Sequence, residues 1–118
     1  MYKFIDPAMV KSRVDEWGGK DMVIDIVGML DESFHENLGK INQAVSTLDF
    51  KQIKELVHPL KSNFYYFFDR NTEFGVIIQD FENKGKNEDP SNLDEYYNIF
   101  EKNGKLTLEE LKEFVSNL

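Results

Sequence analysis

The stretch that decides the fold runs from Ile53 to Phe68 and reads IKELVHPLKSNFYYFF. On a helix at about 100° per residue, its apolar side chains fall on one stripe: Ile53, Leu56, Val57, Leu60, Phe64 and Phe67. A helix with one continuous apolar stripe buries that stripe in a hydrophobic core. His58 points almost directly away from the stripe, so the sequence predicts an exposed imidazole on a well-anchored helix.

The neighbours of His58 set it apart from an ordinary surface histidine. Lys61 and Ser62 follow three and four residues later and share its helix face, and Tyr65 lies one turn further on. Neutral imidazole is a nucleophile near pH 7, and a lysine ammonium can bind the oxygens of a phosphoryl group. The alternative interpretation is a solvated histidine without a function.

The sequence His58-x-Leu60-Lys61-Ser62 resembles the core motif of histidine-containing phosphotransfer domains, H-x-L-K-(G/S). The resemblance to these domains extends from Asp21 to Glu82. The resemblance implies an all-α fold, an up-down four-helix bundle with a short N-terminal covering helix. It also implies a phosphorelay intermediate, in which His58 accepts a phosphoryl group from a receiver-domain aspartyl phosphate and passes it to another receiver. Such a protein carries a phosphohistidine and is not a turnover enzyme.

The same resemblance gives further residues expected roles. His58 is the phosphoacceptor, Lys61 stabilises the phosphoryl group, and Ser62 leaves room for docking and offers a hydrogen bond. Gln79, on the next core helix, is a further candidate at the site. No cofactor of its own is expected, because the receiver's acidic pocket would bring Mg²⁺. The expected partners are receiver domains of response regulators or hybrid histidine kinases, and Tyr65 is either an aromatic anchor for one of them or an obstacle to docking.

Composition restricts the alternatives. The chain has 118 residues, which suits a single domain over residues 1–118, and it has no cysteine, which excludes disulfides and thiolate metal sites. No apolar run approaches the ~20 residues of a membrane-spanning helix, and the first residues lack the apolar segment of a secretory signal. We therefore expect a cytoplasmic protein without membrane contact, and a monomer.

Charge is unevenly distributed along the chain. The net charge of −8 argues against a general nucleic-acid-binding surface. Lys51 and Lys54 nevertheless extend the face of His58 and Lys61, with Glu55 as the exception. This basic edge either steers an acidic partner patch or is an ordinary solvated face. A second function therefore stays open, a helical protein-binding module that uses this surface without being phosphorylated.

Capping signals divide the first half of the chain into helices. Asp6 before Pro7 predicts a first helix that ends at Gly18-Gly19. Asp21 is expected to cap a long second helix, and Asp49 to cap the central one. On the first helix, Val10, Val14 and Trp17 are expected to form a buried stripe. The apolar pattern of the second helix continues to Leu48, its glycines Gly28 and Gly39 allow either close helix contact or a kink, and His35 is expected to be a solvated flanking residue. Pro59 is expected to bend the central helix.

In the second half, a polar turn at residues 69–72 precedes a third core helix that is expected to stop at Gly85. Ser91 can cap the helix that follows, Asn103-Gly104 should interrupt it, and Thr107 with Glu110 has the pattern of a capping box.

Residues Ile99 to Glu110 superficially resemble the calcium loop of an EF-hand, with Gly104 at the obligatory glycine. The first ligand position then falls on Ile99, which has no side-chain oxygen. Since a calcium ion needs six to eight oxygen ligands, we expect a turn followed by a capping box there, without bound metal.

Overall fold

The computed structural model describes residues 2–118, and within them it contains helices and no strand. The elements are α1 (Pro7–Glu16), α2 (Lys20–Ser46), α3 (Phe50–Phe64), α4 (Glu73–Lys86) and α5 (Leu93–Ser116). The all-α prediction is confirmed. In each helix, apolar residues at helical spacing form the side that is buried in the core.

The four longer helices surround one core. Helix α2 packs against α3 and α5, α4 also packs against α3 and α5, and α1 packs on α2. Helix α2 has 27 residues, which at ~1.5 Å per residue corresponds to about 40 Å. This length matches the long axis of the molecule, 42 Å. Because it contacts both α2 and α4, the central helix α3, which carries His58, lies between them.

Phenylalanine rings fill the centre of the core. Phe34 of α2 is fully buried and packs against Phe64 of α3 and Phe100 of α5, with ring centroids 5.7 and 5.4 Å apart. Phe64 continues the cluster towards Phe74, at 6.1 Å. The aromatic interior fixes the side of α3 that faces inwards, and so the side on which His58 stands.

The predicted end of the central helix is wrong, while the predicted burial is confirmed. Helix α3 ends at Phe64 rather than Phe68, yet Phe67 and Phe68 are buried in the turn that follows. The carbonyl of Phe67 accepts a hydrogen bond from the Asp6 amide at 2.8 Å. Pro59 does not end the helix, which continues across it.

Two of the five predicted caps are confirmed. The carboxylates of Asp6 and Asp49 accept hydrogen bonds from backbone amides of α1 and α3. Asp21 is not a cap, because α2 already begins after Gly19, whose φ of 138° favours glycine. Ser91 is not a cap either, since α5 begins after Asn92 in the left-handed region.

Other local predictions on the first two helices need correction. On α1 only Val10 of the expected stripe is buried, while Val14 and Trp17 are half-buried. The second helix stops at Ser46, so Leu48 lies beyond it and is exposed. At Gly28 and Gly39 a Cβ atom would meet no atom within 4 Å, so neither glycine serves a close contact.

The predicted interruption of the last helix is wrong, since α5 is continuous from Leu93 to Ser116. Gly104 is required by packing, because a Cβ there would lie 2.3 Å from Cζ of Phe34. Thr107 is not a cap but a buried residue whose hydroxyl donates to the Asn103 carbonyl. Glu110 instead accepts hydrogen bonds from the amides of residues 3–5. The segment resembling an EF-hand loop is therefore helix.

Alanine at two glycines should separate packing from helix propensity. Gly104→Ala should destabilise the protein, because overpacking against Phe34 costs ~1–3 kcal/mol, more than the gain in propensity. Gly28→Ala, the control in open space on α2, should stabilise by up to ~1 kcal/mol. Urea unfolding measures both, and a stabilising Gly104→Ala would contradict the close packing of α2 and α5.

Candidate functional site

His58 stands on the outer face of α3, as predicted. Its side chain is 59% exposed, whereas its neighbours Val57 and Leu60 are buried. The buried neighbours anchor the backbone, so the imidazole projects from a fixed position into solvent.

A carboxylate on the next helix orients the imidazole ring. Nδ1 of His58 lies 2.9 Å from Oε1 of Glu82 on α4. An ionised carboxylate can only accept hydrogen bonds, so the geometry assigns the ring proton of neutral His58 to Nδ1. The other ring nitrogen, Nε2, then carries the free lone pair and lies on the opposite side of the ring from Glu82.

Glu82 is fully buried and is surrounded by cations. Oε1 also lies 2.9 Å from Nζ of Lys61, and Oε2 lies 3.0 Å from Nζ of Lys86. Both lysine contacts are close ion pairs with the buried carboxylate. Burial of an ion is tolerated only when it is well paired, and Glu82 meets that condition with two lysines and one imidazole.

The pairing keeps Glu82 ionised. Burial by itself raises the pKa of this carboxyl, but hydrogen bonds from Lys61, Lys86 and His58 outweigh it and lower the pKa to about 2. At neutral pH the carboxylate is therefore charged and available to hold the Nδ1 proton.

Lys61 points inwards, towards α4. Its side chain is only 12% exposed, and its ammonium also donates to Oε1 of Gln79 at 3.0 Å. The amide nitrogen of Gln79 in turn donates to Asn83. The structure thus brings two of the predicted site residues, Lys61 and Gln79, into contact, and Lys61 connects Gln79 to Glu82, the carboxylate that binds His58.

Ser62 and Tyr65 occupy different positions relative to His58. Ser62 is exposed, and its hydroxyl donates to the His58 carbonyl at 3.2 Å. Tyr65 is half-buried, with its hydroxyl donating to the Gly75 carbonyl at 2.8 Å, and burial raises its pKa. This hydrogen bond ties the Tyr65 ring to the start of α4.

The predicted basic edge is present on the surface. Lys51, Lys54 and Glu55 are all exposed on α3. Gly85 of α4 packs against this half of α3, because a Cβ there would lie 2.9 Å from the Lys54 amide nitrogen. His35, the second histidine, is half exposed on α2 and lies 3.3 Å from Asp31.

Sequence reasoning missed Glu82, the residue that organises the site. A signal was present, since Glu82 interrupts the apolar stripe of α4: the buried positions are Phe74, Gly75, Ile78, Phe81, Glu82 and Gly85. A carboxylate on a buried stripe requires cationic partners, and Lys61 of α3 and Lys86 of α4 supply them.

Comparison of the chain with protein-family models, curated proteins and solved structures finds no match. Over residues 2–118, every helix is too short or too polar to cross a membrane. In the same residues, histidine and carboxylate side chains form no cluster of three that could hold a metal ion.

Glu82→Gln should reveal the linkage between this cluster and folding. Removing one partner of a buried ion pair typically costs ~3–5 kcal/mol, so the variant should be much less stable at pH 7. The pKa of Glu82 is lowered in the folded state, so its stabilisation is present above the unfolded pKa of about 4.5 and lost as pH falls towards about 2.

The measurement is the urea midpoint of the wild type and the variant between pH 7 and pH 2. The difference between the two proteins should shrink as the solution is acidified. A constant difference would contradict the ionised state of Glu82. Glu109→Gln, at an exposed position on α5, is the matched control and should have little effect.

Proposed function

We propose that this protein is a phosphorelay intermediate that carries a phosphoryl group on Nε2 of His58. The observation that best supports the proposal is the hydrogen bond from Nδ1 to the buried, ionised Glu82. In the neutral ring this bond places the free lone pair on Nε2, and it fixes the direction of an exposed side chain, as a nucleophilic imidazole requires.

The chemistry follows from this arrangement. The lone pair of Nε2 attacks the phosphorus of an aspartyl phosphate, a P–N bond forms, and the P–O bond breaks so that the aspartate leaves as a carboxylate. The ring keeps its Nδ1 proton and becomes an imidazolium, whose charge the Glu82 carboxylate neutralises. Attack on phosphorus by the carboxylate of a second receiver reverses these changes. Phosphoryl transfer depends mainly on positioning and charge stabilisation, and Glu82 contributes to both.

The rest of the molecule suits such a role. The contacts among α2, α3, α4 and α5, with α1 packed on α2, are compatible with an up-down four-helix bundle and a covering helix. Ser62 offers a small, exposed side chain next to His58. In this proposal the protein acts in the cytoplasm, its partners are receiver domains, and the Mg²⁺ used in the transfer belongs to the receiver.

Substitution of His58 tests the proposal. His58→Gln keeps a polar side chain but cannot accept the group, so incubation with phosphorylated receiver domains from the same genome should add no phosphate to it. Wild type should gain one phosphate by intact mass, in an acid-labile and base-stable linkage. His35→Gln, which removes the other exposed histidine, is the control and should be labelled normally.

The position of the label provides a second criterion. Nitrogen-15 and phosphorus-31 spectra should place the phosphoryl group on Nε2, because Glu82 occupies the Nδ1 side. The relay function would be wrong if His58→Gln were labelled or if no receiver labelled the wild type. The protein would then be a binding module that is never phosphorylated. A label on Nδ1 would contradict the role assigned to Glu82.

A further inference from the structure

We infer that Lys86 is the residue that binds the phosphoryl group during its transfer to His58 and afterwards, by exchanging Glu82 for the phosphoryl oxygens. The inference deepens the proposed function and depends on it. It assigns to a lysine outside the His58 motif the cationic role that sequence had given to Lys61.

The surroundings of Lys61 keep it where it is. Its side chain is nearly buried, and its ammonium has two acceptors, Glu82 at 2.9 Å and Gln79 at 3.0 Å. Turning Lys61 outwards would break both contacts and leave the Gln79 oxygen without this donor. Leaving buried polar groups unpaired is costly, so Lys61 is better suited to hold Glu82 than to follow a phosphoryl group.

Lys86 is held much more loosely. Its side chain is 49% exposed, against 12% for Lys61, and within the described residues its ammonium contacts only Oε2 of Glu82, at 3.0 Å. If Lys86 moves away, Glu82 still has the Lys61 ammonium and the proton on Nδ1 of His58. The buried carboxylate therefore remains paired when Lys86 leaves, which avoids the penalty of an isolated buried charge.

The packing of α3 and α4 places Lys86 within reach of the histidine. The residue before it, Gly85, allows the closest approach of the helices, since a Cβ there would lie 2.9 Å from the Phe50 carbonyl oxygen and the Lys54 amide nitrogen. Lys86 and His58 also contact the two oxygens of one carboxylate. The phosphoryl oxygens extend beyond Nε2, on the far side of the ring from Glu82, so Lys86 reaches them by swinging its flexible four-carbon stem outwards past the edge of the imidazole.

Phosphorylation itself supplies the driving force for the exchange. A phosphoryl group brings nearly two negative charges and three strong acceptor oxygens. Before transfer, Glu82 has one more cationic partner than its single charge requires. The added negative charge gives Lys86 a more exposed and more strongly accepting partner than the buried carboxylate.

The test uses potassium phosphoramidate as a chemical phosphoryl donor, so no receiver is needed. The Nε2 lone pair attacks phosphorus, the P–N bond of the donor breaks, and the amine leaves as ammonia after taking up a proton. Intact mass gives the rate at which His58 is labelled. Lys86→Gln should slow labelling by about tenfold, the effect of losing one charge-assisted contact in the transition state, while Lys86→Arg should retain most of the wild-type rate.

Lys105→Gln is the matched control. Lys105 also forms an ion pair with a glutamate four residues earlier and is 47% exposed, so its removal changes net charge equally at a distant place on α5. This variant should be labelled at the wild-type rate. Thermal midpoints show whether Lys86→Gln is folded, and the rescue by arginine separates a charge effect from a structural one.

The outcomes distinguish this inference from the function on which it rests. If Lys86→Gln and Lys105→Gln are labelled equally, Lys86 has no such role, although receivers can still label the wild type. If phosphoramidate labels His58 in a Lys86-dependent way but no receiver does, the phosphoryl-binding role stands and the relay partner does not. Failure to label wild-type His58, under conditions that label a histidine peptide, would overturn the inference.

Discussion

Burial of the Glu82 carboxylate is the constraint from which the arrangement of α3 and α4 follows. Removing such an ion from water costs several kcal/mol, which only close cationic partners can offset. Two of its partners lie on α3, one helical turn apart, and the third is on α4 itself. The carboxylate therefore fixes the rotation of α3 relative to α4, and with it the direction in which His58 points.

Small residues make that contact possible. The absence of a side chain at Gly85 brings the backbones of α3 and α4 together, so lysines and glutamate of ordinary length can meet across the gap. At the other end of α4, the hydroxyl of Tyr65 binds the Gly75 carbonyl. The two helices are thus joined at both ends of the site, with the apolar cluster behind His58 between them.

The sequence was sufficient for features that depend on one helix alone. The exposure of His58 and the burial of Leu60 follow from their angular positions, which helix geometry determines. Contacts between helices were not accessible in the same way, because the register of α4 against α3 depends on packing of the whole core. Glu82 was missed for this reason, and Lys61 was expected to face outwards although it turns towards α4.

The same distinction explains the errors along the chain. Gly104 was interpreted as a helix end because glycine is a weak helix former, while its real constraint is the ring of Phe34 on another helix. Thr107 and Glu110 matched a capping pattern by local spacing. Their actual partners are a carbonyl one turn earlier and three amides more than one hundred residues away.

The attachment of residues 3–5 to Glu110 has a consequence for the dynamics of the molecule. Three successive amides donate to one carboxylate of α5, and the next amide, that of Asp6, donates to the Phe67 carbonyl in the turn after α3. Segments outside regular helices usually exchange their amide hydrogens with solvent readily. Here the protons at residues 3–5 are retained until this attachment opens, so their exchange rates report on the joint stability of the first residues and the last helix.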